Sequence, residues 1–222
     1  GATEALNLVA NCLASELSAG DVVLVGETEH HANIVPWQQL AQRIGIQVQP
    51  IPVDDTGQLS LEAARALCAS HPVKVIAVGH VSNAIGAVND AQGFIELAKS
   101  VGAYSVIDGA QAAPHLRVDC NALDADFYAL SAHKCCGPTG IGVLFGRKEL
   151  LEALPPWQGG GDMIDRVSFS GTTYNELPWK FEAGTPNIAD TIGFATALDY
   201  LESIDFDGAM AWEDQLHRTL IS

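Results

Sequence analysis

Short, continuous apolar runs alternate along this chain with longer stretches in which apolar residues recur at helical spacing. From Thr3 to about Leu17, the side chains of Leu6, Val9, Ala10 and Leu13 fall on one helical face. Val22–Val25 is wholly apolar and too short for a helix, so it reads as a buried strand. Helical spacing resumes from about Ala32 to Arg43, and Val48–Val53 reads as the next strand. The same alternation predicts a helix over Leu61–Ala69, a strand over Val73–Val78 and a helix over Ala91–Val101. A strand over Tyr104–Ile107 ends on Asp108, and one over Asp126–Leu130 ends just before Ser131. Gly142–Phe145 reads as an antiparallel return. Beyond Pro155 the pattern loosens, with a turn at Gly159-Gly160-Gly161-Asp162 and an irregular path to Pro186. A helix then runs from Ile188 to about Leu201.

Strands that are apolar at consecutive positions are expected where helices cover both faces of a sheet. Together with the alternation of strand and helix, this predicts an α/β fold: a doubly wound, mostly parallel sheet with flanking helices. Ligands of such sheets bind beyond the carboxyl ends of the strands. His80, Asn83, Asp108, Gln111, His133 and Lys134 all fall just after predicted strand ends, which points to one shared site.

Composition narrows the reading. The 222 residues suffice for one large domain over 1–222. There are 27 acidic against 11 basic residues, a net charge of -16, and no basic stripe. That excludes a nucleic-acid footprint. No apolar run reaches membrane-spanning length and no signal peptide is visible, so no membrane partner and a cytoplasmic location are expected. The five cysteines have spacings that fit neither a zinc site nor a disulfide framework. Reduced thiols and no metal site are expected. The chain starts at Gly1 rather than Met and stops within a helical pattern at Ile221-Ser222. The expectation is a fragment that lacks an N-terminal segment and a C-terminal small domain.

The chemistry-bearing segments are Asp108-Gly109-Ala110-Gln111 and Ser131-Ala132-His133-Lys134, each at the end of a strand. A lysine so placed can hold an aldehyde as a Schiff base, and an aspartate can hold a protonated ring nitrogen. The pair describes a site for pyridoxal 5'-phosphate (PLP). Thr3, at the start of the first helix, lies where free backbone N–H groups can bind a phosphate, although an ordinary helix cap shares that geometry. The run Gly137-Pro138-Thr139-Gly140-Ile141-Gly142 is no dinucleotide fingerprint, because the spacing is wrong and a strand follows it rather than a helix.

The segments GATEALNLVAN (1–11), EHHANIVPWQ (29–38), HVSNAIG (80–86), DGAQ (108–111), SAHKCCGPTGIGVL (131–144) and FEAGTPN (181–187) resemble the cysteine desulfurases. More closely, they resemble the group II, SufS/CsdA-like branch of the class V aminotransferase fold, over essentially the whole chain. The resemblance implies the large domain of a fold type I PLP-dependent transferase. It implies Lys134 as the covalent anchor, Asp108 as the pyridinium partner and Gln111 as a hydrogen-bond donor to the ring's phenolic oxygen. It places His30 against the cofactor ring as a stacking and proton-moving group, with His31 the weaker choice, and Asn83 near cofactor and substrate carboxylate. Ser131 and His133 would complete a phosphate cup with Thr3. Gly184 and Thr185 would reach the phosphate from the other subunit of a homodimer.

The implied activity is release of sulfur from L-cysteine, giving L-alanine and a persulfide. A sulfur-acceptor protein would then carry the sulfur to iron–sulfur cluster or thiocofactor synthesis. The nucleophilic cysteine and the carboxylate-binding arginine of that family match nothing in this chain. Cys135 and Cys136 stand where relatives carry an apolar and an aromatic residue, so they read as packing or local variation. The competing readings are a selenocysteine lyase acting on L-selenocysteine, another class V enzyme, and a non-catalytic dimerisation module.

Overall fold

The computed structural model describes residues 1–221. The elements run α1 (Ala2–Leu13), β1 (Val22–Gly26), α2 (Val35–Ile44), β2 (Gln47–Ile51), α3 (Leu61–Ser70), β3 (Val73–Gly79), α4 (Ala91–Val101) and β4 (Tyr104–Asp108). After these come α5 (Cys120–Leu123), β5 (Phe127–Ser131), β6 (Gly142–Gly146), α6 (Lys148–Ala153), β7 (Ile164–Ser168), β8 (Gly171–Tyr174), α7 (Ile188–Ser203) and α8 (Phe206–Ile221). The main sheet has the order β2-β1-β3-β4-β5-β6. β1 to β5 are parallel to their neighbours, and β6 returns antiparallel to β5. This is the doubly wound sheet that the alternation predicts.

The apolar runs form the centre of the sheet because each strand feeds both faces. On β1, Val23 and Val25 pack with α1 and α2, while Val22 and Leu24 point to the opposite face, toward α3 and α4. β3 divides in the same way, with Val75 and Ala77 on one side and Ile76 and Val78 on the other. Two cores result, one on each side of the sheet. Trp37, Leu6 and Leu13 are fully buried in the first, and Phe94, Ile95 and Tyr128 in the second.

Several boundaries differ from the periodicity. α1 stops at Leu13, and Leu17 reaches the core from a turn. The helical pattern from Ala32 is split at Ile34 into a single 3-10 turn, His31–Asn33, and α2, with Pro36 in the first turn of α2 where its missing N–H is harmless. β2 ends at Ile51 because Pro52 has no N–H to continue the ladder; Pro50 is tolerated because β2 is an edge strand. Val53 makes only an isolated bridge to Leu59. The stretch read as irregular contains the hairpin β7–β8, whose side chains are nearly all exposed and so carry no alternating burial signal.

No helix among the described residues is long and apolar enough to cross a membrane. Truncating a filler of the second core tests the two-sided sheet. Phe94→Ala should cost about 3–5 kcal/mol of stability, read as a lower midpoint in denaturant unfolding.

Candidate active site

Strand register brings the chemistry together. Gly79 on β3 pairs with Asp108 on β4, and Asp108 pairs with Ala129 on β5. The carboxyl ends of three strands are therefore level. Chain order reverses between β1 and β3, so the loops after these strands diverge and open a crevice at the switch point. A small, partly open cleft lies there. Glu29 and His30 line it from the loop after β1, and Ser82 and Asn83 from the loop after β3. Asp108 and Gln111 line it from beyond β4, and Lys134 from a 3-10 turn, Ala132–Lys134, after β5.

Asp108 is buried, and its Oδ1 accepts one hydrogen bond, from the Ala110 amide at 2.9 Å. Its other oxygen has no hydrogen-bond partner among the described residues. Burial pushes its carboxyl above the usual range, against the opposing pull of the Ala110 amide and of the nearby Lys134 and His30. Lys134 is half-buried and makes no ion pair or hydrogen bond among the described residues. The side chains of Asn83 and Gln111 are likewise unpaired. Polar groups of both signs thus converge on one cleft with their bonding capacity unused.

His30 caps the His31–Asn33 turn, its Nδ1 accepting from the Ala32 amide at 3.1 Å. In the neutral ring the proton therefore sits on Nε2. His31 lies with its ring 6.0 Å from that of His30 and is not among the residues lining the cleft. Spacing cannot separate the two histidines; in the structure His30 lines the cleft and His31 does not.

Ser131 lies at the other end of the site. Its Oγ accepts from the Ala2 amide at 2.8 Å, capping the start of α1 from a position remote in sequence and leaving its own O–H free to donate. This bond brings Thr3 and His133, both exposed, to the same edge of the sheet, although neither lines the cleft. Gly184 is half-buried and Thr185 exposed, and both lie outside it.

Glu29 and Tyr128 carried no role in the sequence pattern, and His80 only a place after a strand end. Glu29 accepts from the Gly79 amide at 2.7 Å and from Asn33 Nδ2 at 2.8 Å. Burial pushes its carboxyl up to about 7, reinforced by the charge of Asp108. His80 and Tyr128 meet edge to face, with His80 Nδ1 3.1 Å from the Tyr128 hydroxyl. Burial lowers the pKa of His80. Tyr128 supports Asp108 from below: a methyl group added at Gly109 would run into its ring. A half-buried acid looks like a surface acid in sequence, so only its place at the head of Glu29-His30-His31 could have marked Glu29.

None of the five cysteines lines the cleft. Cys135 packs with Ala132, Phe194 and Ala197, as its apolar setting predicts, and burial raises its pKa. Cys136 is exposed, with a left-handed backbone at φ 57°, and so does not pack. No cluster of metal-ligating side chains occurs among the described residues.

Two outcomes follow from this geometry. Gly109→Ala should destabilise the fold by about 1–3 kcal/mol and displace Asp108, seen as a lowered thermal midpoint and shifted amide resonances at 108–111. Glu29 is protonated in the folded chain up to about pH 7 but ionises near 4.5 when unfolded. The folded state therefore binds more protons in that window, and stability falls as pH rises through it, by up to about 3 kcal/mol. Thermal unfolding across the window should show this decline, and Glu29→Gln should flatten it.

The aminotransferase class-V family model matches residues 1–222. The chain is 52% identical over 219 residues to a probable cysteine desulfurase of Vibrio cholerae, and 49% identical over 220 residues to a cysteine desulfurase of Dickeya dadantii. Each match covers 98% of this chain and 53% of the relative. The crystal structure of the cysteine desulfurase CsdA from Escherichia coli superposes with a TM-score of 0.94 at 44% identity, over 97% of this chain and 54% of that one. The chain thus spans about half the length of the curated relatives it matches. Its sheet order, the position of its cleft and a full-length family match lead to one conclusion: this chain belongs to the class V aminotransferase family.

Proposed function

We propose that this chain is the cofactor-binding large domain of a PLP-dependent cysteine desulfurase, with residues 1–222 forming that domain. One observation carries the reading. Lys134, an amine without hydrogen bond or ion pair among the described residues, and Asp108, a buried carboxyl group with one oxygen unpartnered, line the same cleft at the switch point of the sheet. The residues fit the cofactor. A cationic ring nitrogen answers the oxygen of Asp108 that has no partner and offsets the burial that disfavours its charge. Relatives about half identical to this chain carry the name cysteine desulfurase, which supports the same choice.

PLP supplies an aldehyde that condenses with an amine and a ring that accepts an electron pair. Lys134 Nζ would hold the aldehyde and would serve as the base for the substrate Cα proton. Asp108 would hold the proton on the ring nitrogen. Gln111 would donate to the phenolic oxygen, Asn83 would face the substrate carboxylate, and His30, whose Nε2 carries the proton in the neutral ring, would lie against the cofactor ring. Thr3, Ser131 and His133 bind the phosphate at the start of α1, where backbone N–H groups are free and the Ser131 hydroxyl still has a proton to donate.

The substrate is L-cysteine, with L-selenocysteine as the alternative. A thiolate from outside these 222 residues takes the sulfur, leaving L-alanine and a persulfide for a sulfur-acceptor protein. The protein is a cytoplasmic homodimer in which Gly184 and Thr185 reach the phosphate of a second copy. Two observations support an assembled state. Gly184 and Thr185 lie outside the cleft of their own chain. Ile192 and Tyr200 on α7, and Trp212 and Leu216 on α8, are exposed apolar residues that need cover.

With added PLP, the protein should develop a visible absorbance band, and borohydride should fix the cofactor to the chain. Lys134→Ala should abolish the fixation, and in the full-length protein should reduce alanine release from L-cysteine to background. A folded Lys134→Ala protein that still traps PLP sinks the assignment. Running L-selenocysteine beside L-cysteine decides the substrate.

A further inference from the structure

Glu29 is the ionisable side chain of this cleft to which the proposed chemistry gives no part. Its carboxyl group spans the crevice between the loops that follow β1 and β3. Oε1 accepts from the Gly79 amide at 2.7 Å and Oε2 from Asn33 Nδ2 at 2.8 Å. Asn33 is itself fully buried, and its Oδ1 accepts from Trp37 Nε1 at 3.4 Å. An indole N–H and a peptide N–H can only donate. The polarity of the whole chain of bonds is therefore set from its two ends, and Glu29 must accept at both oxygens. A carboxyl group can do so whether ionised or protonated, whereas an amide cannot. The slot is also shaped for this side chain: a Cβ at Gly26 would sit 2.5 Å from Glu29 Oε1, and one at Gly79 would sit 3.3 Å from Oε2.

We propose that Glu29 is a positioning residue that ties the His30 turn to the end of β3 and so seats the His30 imidazole at the cleft. His30 directly follows Glu29, and the turn it caps ends at Asn33. The imidazole therefore sits on a segment pinned on either side by one pair of hydrogen bonds. Its Nδ1 is held by the Ala32 amide within that pinned segment, which fixes the ring's orientation. What the imidazole then contacts rests on the PLP reading above; the clamp itself is a property of this chain alone.

The test is a polarity swap in the full-length protein. In Glu29→Gln, whichever way the new amide turns, an N–H meets another donor, either the Gly79 amide or Asn33 Nδ2. Adding Asn33→Asp restores every pairing. The new carboxylate at position 33 accepts from Trp37 and from the new amide at position 29, whose oxygen accepts from Gly79. Net charge is unchanged, and the ionisable group has moved along the chain of bonds.

Three readouts apply: the imidazole NMR signals of His30, the circular dichroism of the visible band of bound PLP, and kcat/KM with L-cysteine. Glu29→Gln should shift the His30 signals, weaken the dichroic band and lower kcat/KM by about tenfold to a hundredfold. The double variant should return all three to within about threefold of the original protein. Unchanged His30 signals in a folded Glu29→Gln protein overturn the clamp, as does a double variant no closer to the original than the single one. If the single variant does not fold, the double variant decides alone, since original-like His30 signals support the clamp and displaced ones overturn it. The His30 signals need no cofactor. Failure of the original protein to take up PLP would therefore strike the cofactor reading while the clamp remained measured.

Discussion

A carboxylate held out of water with half of its hydrogen-bonding capacity unused is the constraint around which this structure is arranged. Asp108 has one amide donor, is buried, and sits at the end of a central strand. Such a group resists ionisation unless positive charge or further donors are brought to it. Lys134 and His30 are the groups that do so within the chain, Lys134 from the end of the neighbouring β5 and His30 from the loop after β1, two strands away. Burial of Asp108 at the cleft favours a cationic group over water as its partner.

The sheet can hold this arrangement because of what lies beneath the site. Below Asp108, Ser105 and Asp126 exchange buried hydrogen bonds, the Ser105 hydroxyl accepting from the Asp126 amide at 2.8 Å and donating to its carboxylate at 3.0 Å. That exchange pins β4 against β5 and fixes how far along β5 the chain travels before Lys134. Tyr128 then fills the space under Gly109, where no side chain fits. At the other edge, the Ser131 hydroxyl caps α1 and ties the first helix to the strand that leads to Lys134. Each contact is modest, near 1 kcal/mol for a typical hydrogen bond. Their effect is geometric, because a rigid first layer lets a reactive amine and an acid face each other without pairing.

The far end of the chain is organised differently. α7 buries only Phe194 and Ala197, and α8 buries nothing among the described residues. Their apolar residues lie on the surface of the single chain, as do Val167 and Phe169 around the β7–β8 turn. These elements add little to the two cores, and most of their apolar residues are exposed.

The local elements were legible from the order of residues because burial on both sheet faces leaves an unmistakable trace: strands without polar positions, separated by amphipathic helices. The place of Lys134 and Asp108 beside one cleft was legible for a related reason, since ligands of a doubly wound sheet bind beyond the carboxyl ends of its strands. Hairpin β7–β8 left no trace, being exposed on both faces. The choice of His30 over His31 depended on a turn whose anchor, Glu29, bonds to Gly79, 50 residues away. The unpaired oxygen of Asp108 and the support from Tyr128 depended on strand register. Periodicity reports how each segment meets water, so it fixes secondary structure and the order of the strands in time. Which side chains converge, which stay unpaired and which acid is buried are decided only when distant segments are packed against one another.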